Sequence, residues 1–321
     1  MMKNTTNMNE CASRRGVVAD TAELVALRHA AVGLQLGVPR RIASSLAGPY
    51  LSRIRGRGLD FEEVRLYQAG DDVRNIDWRV TARTGRAHSK VFHEERERPV
   101  WLLVDTGQSM RFGTRKAFKS VAAVRASALL AWTAQRAGDR VGGLVVSPDG
   151  LVEHSPQARE KGMLRLVGSL SRATAATGEG GADGELLNDA LGRLRAQVRS
   201  GSRVFILSDF TGFDDTGRRH LAELARRCHV SCVLVYDELE AQPPPPGRYR
   251  ASDGERVLSF SANGAAWRRA FADCFARHRE ELTAFCTRQR VELIALRTDE
   301  EPASVLAAAL PAARRSGRVC A

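Results

Sequence analysis

The stretch Val100-Trp101-Leu102-Leu103-Val104-Asp105-Thr106-Gly107-Gln108-Ser109-Met110 decides the fold of this chain. Its five leading apolar residues predict a short strand that is buried on both faces, with Asp105 at the end of the strand. Gly107 allows a tight turn, and a helical pattern begins near Thr114. The stretch therefore delivers a carboxylate and a hydroxyl to the carboxyl edge of a central strand, where open α/β sheets bind ligands.

Strands and helices alternate through the rest of the chain. Further strands are predicted at 141–146, 204–207, 230–236 and 291–296, and hairpins at 148–154 and 248–260. Helical patterns cover 20–36, 40–54, 115–136, 160–170, 185–198, 216–227, 265–288 and 302–314. Because strands that alternate with helices pair in parallel, the sequence predicts an α/β fold with a doubly wound, mostly parallel sheet.

A second distinctive stretch, Gly56 to Trp78, reads GRGLDFEEVRLYQAGDDVRNIDW. Its apolar residues are isolated between charged ones, and its aspartates alternate with arginines, which indicates paired charges rather than a patch of one sign. We expect this segment to pack on the main domain, with Tyr67 and Trp78 as apolar anchors. Its candidate partner-binding residues are Asp71, Asp72, Arg74, Asp77 and Trp78.

The two stretches together resemble the domain-of-unknown-function 58 (DUF58) family. Members of that family carry the same glycine, R-x-Y, G-D-D-x-R and I-D-W run just ahead of a von Willebrand factor A (vWA)-like domain. The likeness is tight from Gly56 to Met110 and looser beyond. It implies a vWA-like domain over 99–315, preceded by an N-terminal helical arm and signature segment over 20–98. Residues 1–19 are expected to form a disordered tail.

The resemblance also implies a degenerate metal site at the strand edge. The vWA motif reads D-x-S-x-S, and this chain has Asp105, Gly107 and Ser109 at those places. Such a site holds Mg²⁺ or Mn²⁺ through hard oxygen ligands and retained waters. The residues carried over from the pattern as metal ligands are Asp105 and Ser109, together with Asp209, which follows the strand at 204–207.

Two hydroxyls of the vWA pattern are missing, because Gly107 and Ala182 stand in their places. We therefore expect weak metal binding, with Thr177 or Asp183 as substitute ligands. Two carboxylates at one edge must be neutralised in any case. A metal cation, an arginine, or a hydrogen-bonded backbone turn that leaves one carboxyl with a raised pKa could each do so.

Composition and charge narrow the functional classes. The chain has 321 residues, 43% of them apolar and 27% charged, with a net charge of +12. Its basic residues are scattered among acidic ones without a basic block beside stacking aromatics, which makes nucleic-acid binding unlikely. No apolar run is long enough for membrane insertion, and residues 1–10 do not form a secretory signal. Cys228 and Cys232 are predicted to be buried free thiols, and we expect a cytoplasmic protein.

Enzyme motifs are sparse. No phosphate-binding G-x-x-x-x-G-K-[ST] loop and no G-x-S-x-G elbow occurs. His88 and His93 lie near acidic residues but are more simply part of a solvated strand. We expect a non-catalytic interaction or adaptor protein. The family resemblance implies a MoxR-type AAA+ ATPase as its partner. The alternative is a divalent-metal-dependent hydrolase or phosphatase built at the same strand edge.

Overall fold

The computed structural model describes residues 16–36, 59–68, 73, 76–94, 99–178, 183–252 and 257–310. The chain divides into two compact units. The main unit comprises residues 1–41 and 98–321, and the small unit comprises residues 42–97. The predicted helix over 40–54 lies outside the described residues.

Ten strands and nine α-helices are found in the described ranges. The strands are β1 (Leu59–Leu66), β2 (His88–Glu94), β3 (Val100–Asp105), β4 (Val141–Ser147), β5 (Gly150–Gln157), β6 (Arg203–Ser208), β7 (His229–Tyr236), β8 (Arg248–Ser252), β9 (Val257–Ser261) and β10 (Glu292–Arg297). The helices are α1 (Thr21–Ala30), α2 (Trp78–Thr84), α3 (Lys119–Arg136), α4 (Glu160–Ala175), α5 (Asp183–Gln197), α6 (Asp215–Arg227), α7 (Glu238–Ala241), α8 (Ala265–Gln289) and α9 (Pro302–Ala309).

The main unit is built on a six-stranded sheet in the order β10-β7-β6-β3-β4-β5. All neighbouring strands are parallel except β4 and β5, which form an antiparallel hairpin. Helices α1, α3, α4 and α9 cover one face of the sheet, and α5, α6 and α8 cover the other. The prediction of an α/β fold with a doubly wound, mostly parallel sheet is confirmed.

The strand β3 explains why the sheet takes this form. All six of its residues are buried, and Leu102 belongs to the core on one face while Leu103 belongs to the core on the other. Successive side chains of a strand point to opposite faces, so an uninterrupted apolar strand requires helices on both. Its position between β6 and β4 places Asp105 at the middle of the sheet's carboxyl edge.

Residues 16–36 pack as part of the main unit. Leu24 of α1 is fully buried, and its carbonyl accepts a hydrogen bond from Trp132 Nε1 of α3 at 2.9 Å. The buried backbone N–H of Ala19 donates to Thr174 Oγ1 at 3.0 Å. The predicted disordered tail over 1–19 is therefore wrong at its end, because Ala19 has both an apolar contact and a hydrogen-bond partner. Residues 1–15 lie outside the described residues.

The small unit contains the antiparallel pair β1–β2 and the short helix α2. Asp77 caps α2, and its carboxylate accepts hydrogen bonds from the N–H groups of Arg79 and Val80. Trp78 is the first residue of this helix and is 70% exposed. The expectation that Trp78 anchors the segment by burial is therefore wrong. The short helix α2 buries none of its residues, and the pairing of β1 with β2 was not predicted.

The packing of α1 can be tested by truncating its buried leucine. Leu24→Ala should lower the free energy of unfolding by about 2 to 5 kcal/mol, because it leaves a cavity between α1 and α3. Urea denaturation would measure the change. Val32→Ala is the matched control, since Val32 is exposed just beyond α1 and should change stability by less than about 0.5 kcal/mol. Equal effects of the two substitutions would contradict this packing.

Candidate functional site

The carboxyl ends of β3 and β6 meet at the centre of the sheet. Asp105 ends β3, and one of its oxygens accepts the N–H of Gly107 at 2.9 Å. Its other oxygen accepts the hydroxyl of Ser208, the last residue of β6, at 2.6 Å. Asp209 follows directly. The predicted residues Asp105 and Asp209 thus lie at the same edge, and the Ser208 hydroxyl joins their two strand ends.

Asp209 is bound by a buried lysine. The ammonium nitrogen of Lys119, the first residue of α3, lies 2.7 Å from Asp209 Oδ2, and the Lys119 side chain is only 2% exposed. The other oxygen of Asp209 accepts the N–H of Thr211 at 2.9 Å. The Ser109 side chain also helps to lower the pKa of the Asp209 carboxyl. The cation that neutralises Asp209 in this structure is therefore an ammonium group.

A second carboxylate contacts the same ammonium group. Glu240 Oε1 lies 2.7 Å from Lys119 Nζ, and the Glu240 side chain is 30% exposed. The other oxygen of Glu240 accepts the N–H of Asp237, which closes a capping box at the start of α7. Lys119 thereby joins the loop after β6 to the loop after β7.

Asp237, at the end of β7, fixes two more loops. Its carboxylate accepts the hydroxyl and the N–H of Thr114, at 2.6 Å and 3.0 Å, and the hydroxyl of Thr298 at 2.6 Å. Thr114 lies in the loop before α3, and Thr298 follows β10. The hydrogen bonds lower the pKa of Asp237 although its burial acts in the opposite direction. The carboxyl edge is therefore a connected polar network across β3, β6, β7 and β10.

Burial and pairing oppose each other at the ion pair. Burial acts to lower the pKa of Lys119, but the carboxylates of Asp209 and Glu240 outweigh it and hold that pKa above its usual value. Burial acts to raise the pKa of Asp209, but the charge and hydrogen bond of Lys119 outweigh it and hold that pKa below its usual value. Both groups are therefore charged at neutral pH, and Asp209 is not the carboxyl with a raised pKa that the sequence left open.

The oxygen atoms at this edge, with the hydrogen bonds they make in this structure, do not fit a divalent cation. Such an ion needs free carboxylate oxygens, yet each oxygen of Asp209 has a hydrogen-bond donor, one of them cationic. Gly107 supplies no side-chain oxygen, although its φ of −59° would accept a serine. Within the described ranges, no three His, Cys, Asp or Glu side chains form a group that could hold a metal. Weak metal binding by Asp105, Ser109 and Asp209 stays a prediction.

Lys119 and Glu240 were not identified from the sequence as site residues. The sequence does contain a signal for Lys119, because it stands directly before a run without charged residues from 120 to 124. In the structure every residue from 119 to 124 is buried. A buried lysine requires a carboxylate partner. No comparable signal marks Glu240, since α7 has only four residues and adjoins the proline-rich stretch at 243–246.

The structure describes only some of the other predicted site residues. Asp71, Asp72, Arg74 and Ala182 lie outside the described residues, whereas Asp77 and Trp78 belong to the small unit. Thr177 is exposed in the loop after α4. His88 is engaged locally, with its Nδ1 at 2.6 Å from the carbonyl oxygen of Arg86.

One serine–histidine pair lies away from the edge. His154 Nε2 of β5 is 2.9 Å from Ser169 Oγ of α4, and Arg172 donates to the same hydroxyl at 2.8 Å. Burial, together with the charges of Arg172 and Arg165, lowers the pKa of His154. Because Ser169 is 4% exposed within a helix, this contact ties the edge strand to α4 rather than presenting a nucleophile.

The cysteines confirm one prediction and add a contact. Cys228 and Cys232 are buried free thiols, as predicted. Cys232 lies in the same core cluster as Cys286 of α8. The Cys286 thiol and burial both raise the pKa of Cys232. The two thiols therefore belong to the core between β7 and α8.

No helix in the described ranges is both long and apolar enough to cross a lipid bilayer.

Comparison with known proteins adds a family and several relatives. The sequence profile of a family described as "Protein of unknown function DUF58" matches residues 63–281. Uncharacterised proteins from Mycobacterium bovis and Mycobacterium tuberculosis are each 32% identical over 292 residues, which cover 89% of this chain and 88% of the relative.

Two solved structures from Bacteroides species match part of this chain. The conserved hypothetical protein BatB from Bacteroides thetaiotaomicron is 16% identical with a TM-score of 0.40, and the match covers 66% of this chain and 95% of that one. An aerotolerance-related membrane protein from Bacteroides fragilis is 13% identical with a TM-score of 0.36, covering 66% and 96%.

The buried ion pair predicts a specific response to acid. Asp209→Asn should lower the free energy of unfolding by about 3 to 5 kcal/mol at pH 7, because it leaves Lys119 with one carboxylate instead of two. The folded-state pKa of Asp209 lies below its ordinary 3.8, so its contribution is complete above that value and is lost as pH falls through the folded pKa. The difference between wild type and variant should therefore shrink below about pH 4.

Urea denaturation between pH 7 and pH 3 would measure this difference. Asp189→Asn is the matched control, because Asp189 forms an exposed pair with Arg193 at 3.1 Å and should contribute less than about 0.5 kcal/mol. A deficit of Asp209→Asn that stayed constant across the whole pH range would contradict the assignment of a charged, paired carboxylate.

Proposed function

This chain belongs to the DUF58 family of proteins of unknown function, and we propose that it is a non-catalytic adaptor that binds a MoxR-type AAA+ ATPase. In this proposal the main unit is a vWA-like domain whose carboxyl edge is a fixed platform. The small unit provides the surface that the partner recognises. The class of partner follows from the resemblance to the DUF58 family. The binding surface is inferred from the exposed side chains of the small unit.

The exposure of Trp78 is the observation that carries the proposal. A tryptophan that is 70% exposed leaves a large apolar area in water, which is unfavourable unless a partner covers it. Tryptophan is also among the residues that most often dominate the binding energy of protein interfaces. The small unit has two other exposed apolar residues, Leu66 and Val73.

Backbone contacts place these residues around one end of the β1–β2 pair. Leu66 is paired with His88 across the two strands. The carbonyl of His88 accepts the N–H of Asp77 at 2.8 Å, and Trp78 is the next residue. The carbonyl of Val73 accepts the N–H of Ile76. An apolar group of this kind beside charged residues fits a protein partner better than a small polar ligand.

The carboxyl edge of the main unit supports a non-catalytic role. Its carboxylates are held by internal donors: Asp105 by Ser208 and Gly107, and Asp209 by Lys119 and Thr211. A general base or a metal ligand at this edge would have to break those bonds first. Among the described residues, no specific contact therefore favours the alternative of a divalent-metal-dependent hydrolase or phosphatase.

The adaptor proposal predicts a loss of binding without a loss of folding. Trp78→Ala should weaken binding to a purified MoxR-type ATPase from the same organism at least tenfold, as expected for an interface residue worth more than about 1.4 kcal/mol. Its Tm should change by less than about 2 °C, because α2 buries none of its residues. Calorimetry and thermal denaturation would give the two quantities.

Leu164→Ala is the matched control, because Leu164 is an exposed apolar residue of α4 in the main unit. Its binding should equal that of the wild type. If the wild-type protein does not bind the ATPase, the partner assignment is wrong. If Trp78→Ala binds as tightly as the wild type, the recognition surface is wrong.

A further inference from the structure

We propose that Lys119 is the resident cation of the carboxyl edge, and that its ammonium group makes the edge independent of divalent metals. The edge would then be a permanently closed charge cluster rather than a site that exchanges ions or ligands. The inference depends only on the contacts of the main unit. It can therefore hold or fail independently of the adaptor role.

The charges at the edge show why one cation is required. Four carboxylates gather there, from Asp105, Asp209, Asp237 and Glu240. Asp105 accepts hydrogen bonds from a backbone N–H and a serine hydroxyl, and Asp237 accepts hydrogen bonds from a backbone N–H and two threonine hydroxyls. Asp209 and Glu240 are the two that contact an ammonium group, and both contact the same one at 2.7 Å. Lys119 thus occupies the position between two carboxylates where a metal ion would otherwise be favourable.

Burial makes this arrangement difficult to exchange. Lys119 is 2% exposed and Asp209 is similarly buried, so a divalent ion could enter only if the ammonium group left. Moving a charged lysine away from its partners without replacement is costly, since it leaves an unpaired carboxylate in a low-dielectric interior. The backbone also holds Lys119 in place, because its N–H donates to the carbonyl of Phe112 at 2.8 Å.

Removing the lysine should convert the cluster into a metal site. Lys119→Ala would leave two carboxylates facing an emptied volume, with the Ser109 hydroxyl beside Asp209. Carboxylate and hydroxyl oxygens with room for water are the ligands that Mg²⁺ and Mn²⁺ accept. The variant should therefore lose stability in the absence of metal and regain part of it when a divalent ion is added.

The experiment measures thermal denaturation of the whole chain in EDTA, in 10 mM MgCl₂ and in 10 mM MnCl₂. Each metal concentration is about 100 times the Kd expected for the Lys119→Ala variant, which is about 0.1 mM. The Tm of the wild type should be the same in all three to within about 1 °C. Lys119→Ala in EDTA should have a Tm lower by about 10 °C. Added metal should raise the Tm of this variant by about 4 to 6 °C. Calorimetric titration with each metal should show binding to the variant alone.

Two further variants serve as controls. Lys161→Ala removes an exposed lysine of α4 and should show neither the loss of Tm nor the response to metal. The double variant Lys119→Ala with Asp209→Asn leaves the same volume empty but removes both buried charges, so it should be more stable than Lys119→Ala in EDTA and should bind no metal. If Lys119→Ala does not fold, recovery of folding in the double variant supports the proposal, because it identifies the unpaired carboxylate as the cause.

Three results would overturn the proposal. The first is a metal-dependent rise of 3 °C or more in the Tm of the wild type, which corresponds to a Kd near 1 mM. The second is a folded Lys119→Ala variant that does not respond to either metal. The third is a double variant that folds no better than Lys119→Ala.

Discussion

The ammonium group of Lys119 is the contact on which the arrangement of the carboxyl edge depends. It binds Asp209 after β6 and Glu240 at α7, and Glu240 in turn accepts the backbone N–H of Asp237. Three segments that are far apart in sequence therefore converge on one side chain. Because a buried ammonium group is costly without partners, the positions of these segments are strongly coupled.

The strained backbone beside this contact is held by the same network. Phe210 has a φ of +58°, which is unfavourable for a residue with a side chain. Its N–H donates to the Ser208 hydroxyl at 2.9 Å, and that hydroxyl also donates to Asp105. Its ring packs edge-on against Phe213, with centroids 5.6 Å apart. The turn that aims Asp209 at Lys119 is thus fixed by polar contacts on one side and by aromatic packing on the other.

The fold could be predicted from the sequence because its strands are short, apolar and regularly separated. The predicted parallel strands of the main sheet agree with the structure to within one residue at each end, as at Val141–Ser147, whereas β5 continues three residues beyond its predicted end. The helix α3 begins at Lys119 rather than at Arg115, because residues 111–118 form a loop that bonds to Asp237 through Thr114. A tertiary contact of that kind leaves no periodic signal in the sequence.

The candidate site was predictable only in part. The location of Asp105 and Asp209 follows from their places at the ends of buried strands, which is a local property. The identity of the cation that neutralises Asp209 depends on a side chain 90 residues earlier in the chain, and a helical pattern alone does not reveal that. The exposure of Trp78 could not be predicted either. The apolar residues of its segment are isolated between charged ones, and such a pattern does not indicate whether an aromatic ring is buried or exposed.

The sequence separation of Lys119, Asp209 and Glu240 has a consequence for the folding pathway. A lysine that is buried by α3 and β3 before β6 and β7 have docked would be enclosed without a counter-charge, which raises the free energy of partly assembled states. The network at the edge therefore penalises intermediates more than the native state. A single charged side chain in this way couples the energies of segments on both halves of the sheet.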